Sequence, residues 1–205
     1  MTDRQLRDEI MTIFLAGHET VANALVWTWH LLSENPAVEA RLLAEVDSVL
    51  TGDRPALADL PRLEYSRMVL DEALRLRPPV WAVPRCPLAD DAAGGYRIPA
   101  HSSVILSPFV THRHPEFWDE PERFDPERFR PDRAAGRPRY AYFPFGGGPR
   151  MCIGSEFALM EGVLVLATIA REFRLVQATM RRVELEPLIT LRPLGGLPML
   201  VERRR

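Results

Sequence analysis

Thirteen of the 19 prolines fall between Pro78 and Pro149, and that stretch decides how the chain can be built. Proline fixes φ and removes a backbone donor, so a segment this rich in it supports neither a long helix nor a central strand. It must be a meander of turns and short edge strands, with long helices confined to its flanks. The flanks supply them. Behind a capping box formed by Thr2 and Gln5, Leu6, Ile10, Ile13, Phe14, Gly17, Val21, Ala24 and Leu25 recur at the helical period. This predicts a helix to about residue 32, stopped before Asn35-Pro36 because a residue preceding proline disfavours the α region. Asn35 is expected to cap a second helix, with Pro36 at its first position, ending near residue 52. A third helix is expected over 63–77, ending at Pro78-Pro79. Strand-like runs follow at 80–85, 96–98 and 103–106. Then come a meander over 108–142, a helix over 153–173, and tail strands at 174–176, 188–191 and 199–201. The class is mainly α with small β-sheet regions, and residues 1–205 show no internal repeat or linker.

Composition narrows the function. With 46% hydrophobic and 26% charged residues the chain is not disordered, and a formal net charge of −2 gives no field for nucleic acid. Two cysteines make no disulfide framework, which points to a reducing compartment. No uncharged apolar run reaches the roughly 18 residues of a membrane span, and no basic-then-apolar signal opens the chain. A soluble, cytoplasmic protein with no membrane span is the expectation. Every one of the 26 basic residues is Arg, a codon bias expected of a GC-rich bacterial genome.

Three places ask for chemistry. On the third helix Tyr65, Met68, Val69, Glu72 and Leu76 share one face, so Glu72 sits on an apolar stripe where a lone carboxylate is costly. Arg75, three residues on, can reach it. The commonplace alternative is an exposed helix pair. In Phe145-Gly-Gly-Gly148-Pro-Arg150-Met-Cys152-Ile-Gly154, a cysteine stands before a helix, behind a glycine loop and two residues after an arginine. Helix amides and a nearby cation favour thiolate, and a thiolate so presented suits a metal. The loop lacks the Gly-Lys-Ser/Thr of a Walker motif, and Met151 replaces the third glycine of a dinucleotide fingerprint. Zinc has only His112-x-His114 as a poor candidate, and no histidine signature marks a nucleophilic cysteine. A buried structural cysteine is the remaining alternative, and it is the expectation for Cys86. The third place is Ala16-Gly17-His18-Glu19-Thr20. A glycine inside a helix costs about 1 kcal/mol against alanine. Close approach of a ligand, a helix bulge served by Thr20, or helix–helix packing would each explain it.

Together, in this order, these motifs resemble the cytochrome P-450 superfamily of haem-thiolate monooxygenases. The cysteine loop matches F-x-x-G-x-R-x-C-x-G at every fixed position. Glu72 and Arg75 match E-x-x-R, residues 16–20 match A-G-x-[D/E]-T, and Pro126-Glu127-Arg128-Phe129 matches P-E-R-F. The resemblance runs from Gln5 to Val201 and implies the C-terminal part of that fold, with the N-terminal half absent.

The resemblance implies haem b (iron protoporphyrin IX), with Cys152 as its axial iron ligand and Arg150 and Arg85 as propionate partners. Phe145 would pack on the thiolate side, while Gly148 and Gly154 would let the backbone pass close to loop and macrocycle. Ala16 and Gly17 would floor the distal groove. Glu19 and Thr20 would relay protons to dioxygen, and Glu72, Arg75 and Arg128 would form a buried architectural triad. The implied activity inserts one oxygen atom of O2 into a small organic substrate, with electrons from a ferredoxin, flavodoxin or reductase. The other readings are a haem-thiolate isomerase, dehydratase or peroxygenase, which the Glu19–Thr20 pair argues against, and a truncated fragment without activity.

Overall fold

The computed structural model describes residues 1–52, 54–179 and 182–204. Helix α1 spans Asp3–Glu34, α2 Pro36–Val49 and α3 Glu64–Leu76. The proline-rich stretch holds four short strands: β1 Val83–Arg85, β2 Asp91–Ala93, β3 Tyr96–Ile98 and β4 Val104–Leu106. Two single-turn helices, α4 Pro108–Thr111 and α5 Pro131–Ala134, interrupt its meander. Helix α6 spans Ser155–Glu172. It leads into β5 Phe173–Gln177, β6 Leu185–Pro187, β7 Leu191–Pro193 and β8 Met199–Arg203. The strands pair antiparallel in twos, β1 with β4, β2 with β3, β5 with β8 and β6 with β7.

The core lies where the second half of α1 meets α2, α3 and α6. Leu32, Leu42, Val46, Leu63, Val69 and Leu166 are fully buried there. Helices α3 and α6 come so close that a Cβ on Gly162 would lie 2.7 Å from a Leu70 methyl. The Thr2–Gln5 capping box forms, with the Gln5 N–H donating to Thr2 Oγ1 at 3.2 Å and the Thr2 N–H to Gln5 Oε1 at 2.9 Å.

Several local expectations are corrected. Asn35 does not cap α2. Its carboxamide donates backwards to the Leu31 carbonyl at 2.7 Å, closing the end of α1, where unpaired carbonyls are available. Residues 188–190 are no strand but the turn between β6 and β7. Leu191 begins β7, and the Leu188 N–H bonds to Glu186 and Thr190 carbonyls. That apolar run is held by indole donors, Trp81 Nε1 on the Leu188 carbonyl and Trp27 Nε1 on the Leu191 carbonyl, both at 2.9 Å. Strand β1 begins only at Val83, since the Trp81 carbonyl is taken by the Ser107 hydroxyl. Cys86 is exposed, not buried, because the little β1–β4 pair lies on the surface.

Helix α1 bears on the membrane question without containing an uncharged run of spanning length. Among the described residues it is the one helix long and apolar enough to cross a membrane, with a mean hydropathy of 1.2 over an 18-residue window. Glu19 is a single charge within a long apolar run. Beyond Ala24 the helix enters the core, with Trp27, Trp29, Leu31 and Leu32 buried, whereas Leu6, Ile10, Ile13 and Phe14 are exposed.

Candidate functional site

The site is built outward from α3. Glu72 and Arg75 are fully buried and Arg128 nearly so. Arg75 grips the Glu72 carboxylate with two donors, Nε to Oε2 at 2.7 Å and Nη2 to Oε1 at 2.8 Å. Its remaining donors reach the carbonyls of His112, Pro121 and Arg123. Glu72 Oε1 also accepts the Asp125 N–H at 2.9 Å, and Arg128 Nε lies 3.4 Å from it. Burial pushes the Glu72 carboxyl up. Arg75, the Asp125 amide and Arg128 oppose that push, and the bidentate grip is what holds an ionised carboxylate there. One helical face thus pins three points of a segment that has no regular ladder of its own.

His112 completes this frame, and sequence reasoning missed it. Its ring is fully buried, Nδ1 lies 3.3 Å from the Arg75 carbonyl, and Nε2 accepts the Phe143 N–H at 2.9 Å. Nδ1 must therefore carry the proton. Burial lowers its pKa to about 3. Tyr142 beside it donates to Asp71 Oδ1 at 3.0 Å and ties the meander's end to α3 again. The only sequence signal was His112-x-His114, a poor zinc motif whose burial no periodicity could show.

The chain then enters the cysteine loop. The Phe145 ring packs against the main core, and its carbonyl accepts the Cys152 N–H at 3.0 Å. Gly146 and Gly148 hold φ of 73° and 69°, a left-handed backbone that only glycine adopts without penalty. Between them, a Cβ on Gly147 would lie 2.5 Å from the Tyr140 ring. Cys152 is free and exposed just ahead of α6, whose N-cap is Gly154. A Cβ on Gly154 would touch the Cys152 sulfur at 4.0 Å, so this glycine meets ordinary contact rather than backbone strain. The loop thus presents one thiol from a backbone fixed at both ends.

The model of the family described as cytochrome P450 matches residues 1–197. The chain belongs to the cytochrome P450 family. It is 45% identical to cyclooctatin synthase of Streptomyces melanosporofaciens over 204 residues, covering 100% of this chain and 44% of that protein. It is 41% identical to pentalenene oxygenase of Streptomyces avermitilis over 193 residues, covering 94% of this chain and 41% of that one. The crystal structure of the cytochrome P450DA heme domain superposes with a TM-score of 0.94 at 35% identity, covering 100% of this chain and 46% of that one. The chain therefore spans a little under half the length of these P450 relatives.

P450 membership implies a haem, and the donor set suits one. No group of three or more His, Cys, Asp or Glu among the described residues could cage a metal. A macrocycle that brings its own nitrogens needs only one thiolate and cations for its carboxylates. Cys152 is a free, exposed thiol on the cysteine loop. Arg150 makes no ion pair among the described residues, and Arg85 only donates to the Pro84 carbonyl, so both guanidiniums are free for an anion.

The remaining P450 motif does not assemble as a pair. The Thr20 hydroxyl donates back to the Ala16 carbonyl at 2.7 Å, while the Glu19 carboxylate accepts the Thr190 hydroxyl at 2.6 Å. Helix α1 runs unbroken through Gly17, and a Cβ there would meet nothing within 4 Å. Among the described residues there is neither a bulge nor a packed neighbour at this glycine. Gly17→Ala should then raise stability in chemical denaturation by about 0.5–1 kcal/mol. A loss would show that the position is packed.

Proposed function

We propose that the chain forms the thiolate-bearing part of a cytoplasmic monooxygenase that inserts one atom of O2 into a small organic substrate. Its electrons would come from a separate ferredoxin, flavodoxin or reductase. One observation carries the reading: an exposed thiol, Cys152, stands on a glycine loop clamped to the core through Phe145. The naming of a relative as pentalenene oxygenase supports the reaction class, and two free thiols suit a reducing compartment.

Haem b, when bound, supplies the redox chemistry on dioxygen. The chain's own residues do the rest. Cys152 would give its thiolate to the iron, and Arg150 and Arg85 would neutralise the propionates. Ala16 and Gly17 would leave room above the ring, and Glu19 and Thr20 would hold and pass the protons that oxygen cleavage consumes. The triad of Glu72, Arg75 and Arg128 would keep the loop in place without touching the reacting atoms.

In the haem-loaded protein, Cys152→Ala should abolish the thiolate-type Soret band of the ferrous–CO complex, and Cys86→Ala should leave it. A band that survives Cys152→Ala would refute the assignment.

A further inference from the structure

Three side chains spaced by four along α1 point the same way and grip one hairpin. Glu19, Asn23 and Trp27 meet Thr190 and Leu191, at the turn between β6 and β7. Asn23 Nδ2 lies 3.0 Å from Thr190 Oγ1, the Thr190 hydroxyl lies 2.6 Å from Glu19 Oε1, and Trp27 Nε1 lies 2.9 Å from the Leu191 carbonyl. The direction of these bonds is fixed. The Asn23 amide nitrogen only donates, so Thr190 Oγ1 accepts from it and sends its single hydroxyl hydrogen to Glu19 Oε1. Thr190 is itself 5% exposed, so its hydroxyl has little water to turn to.

The consequence concerns Glu19. One residue apart on a helix, Glu19 and Thr20 point about 100° away from each other, Glu19 toward the hairpin and Thr20 along the Ala16 side. For the acid to serve the Thr20 side, its carboxylate must leave Thr190.

We propose that Thr190 is a positioning residue for Glu19, holding its carboxylate at the hairpin in one orientation until it turns to the Thr20 side, having taken up a proton from solvent water that it then passes on. This rests on the proton-relay reading of Glu19 given above. A lone serine or threonine in a turn would be unremarkable. Here, however, the hydroxyl is buried, its polarity is set by Asn23, and its acceptor is the acid of the P450 motif. A hydroxyl is also the smallest group that can bind a carboxylate without neutralising it, so the hold is reversible.

The test pairs Thr190→Val, which keeps the shape and deletes the hydroxyl, with Thr190→Ser, which restores it. The first readout needs no turnover. In protein with carbon-13-labelled glutamate, the infrared carboxylate band assigned by Glu19→Gln should shift in Thr190→Val and return in Thr190→Ser. The second uses the haem-loaded protein with an electron donor and ethoxycoumarin as probe. Thr190→Val should release several-fold more hydrogen peroxide per electron consumed, with probe affinity unchanged, and Thr190→Ser should restore the wild-type ratio. A Glu19 band indifferent to Thr190→Val would overturn the hydrogen bond. A shifted band with unchanged peroxide yield would overturn the positioning role, provided Glu19→Gln itself raises that yield. If Glu19→Gln leaves the yield unchanged, the relay reading fails first and the positioning role with it.

Discussion

Arg75→Ala is expected to leave little folded protein. Removing one partner of a buried pair costs about 3–5 kcal/mol, because the other charge stays buried without compensation. Here the loss is larger than a pair, since Arg75 also serves the carbonyls of His112, Pro121 and Arg123. Of these acceptors the His112 carbonyl is buried, and leaving it without a donor adds about 1–3 kcal/mol, while the part-buried Pro121 and Arg123 carbonyls can turn to water. Against a typical domain stability of about 5–15 kcal/mol, the sum removes most of what holds the fold. Arg7→Ala, which loses an ion pair with Asp8 on α1, gives the contrast. Both side chains are mostly exposed, at 70% and 55%, so losing that pair should cost under about 1 kcal/mol. Urea denaturation and soluble yield of both variants decide the matter. Equal losses would show that the Glu72 pair is held no more tightly than a surface bridge.

That prediction uses a part of the protein the sequence exposed well. Glu72 on an apolar stripe with Arg75 in reach is a local pattern, and the helix that carries it lies within one residue of its expected ends. Helix periodicity and proline stops are local too, and α1, α2, α3 and α6 follow from them. Contacts between segments far apart in the chain were not legible. His112 bonds to Phe143 across 31 residues, and Glu19 to Thr190 across 171, with neither histidine nor threonine marked by any spacing. The tail strands show the same limit. Leu188 and Ile189 look like strand residues, yet they are 52% and 93% exposed in a turn fixed by two tryptophans. The cysteine loop was legible because glycine, arginine and cysteine are each demanded by local backbone and charge. The resemblance assigned Arg85 and Arg150 an anion to bind, and the structure shows only that nothing in the described chain competes for them.

Acid should weaken this protein through His112 over a window set by its burial. Unfolded, the imidazole protonates near 6.5, while folded it stays neutral down to about 3. Burial is the main cause. The Arg75 carbonyl at Nδ1 works against it, and the neighbouring Arg75 and Arg113 cations add to it. Between these two values the unfolded state binds one more proton than the folded state, so stability rises with pH and is lost on acidification. The slope approaches 1.4 kcal/mol per unit, about 2 kcal/mol by pH 5 and on the order of 5 kcal/mol across the whole window. The two buried carboxyls nearby, Asp71 and Glu72, are pushed up by burial and so act in the opposite sense. They are common to wild type and variant, which makes the comparison clean. His112→Gln keeps an acceptor for the Phe143 N–H but cannot take the proton. Its stability should be lower than wild type at pH 7, and the gap should narrow by about 2 kcal/mol at pH 5 in urea titrations. Parallel curves would mean that His112 titrates alike folded and unfolded. A neutral Nε2 would then not be the acceptor that steers Phe143 into the cysteine loop.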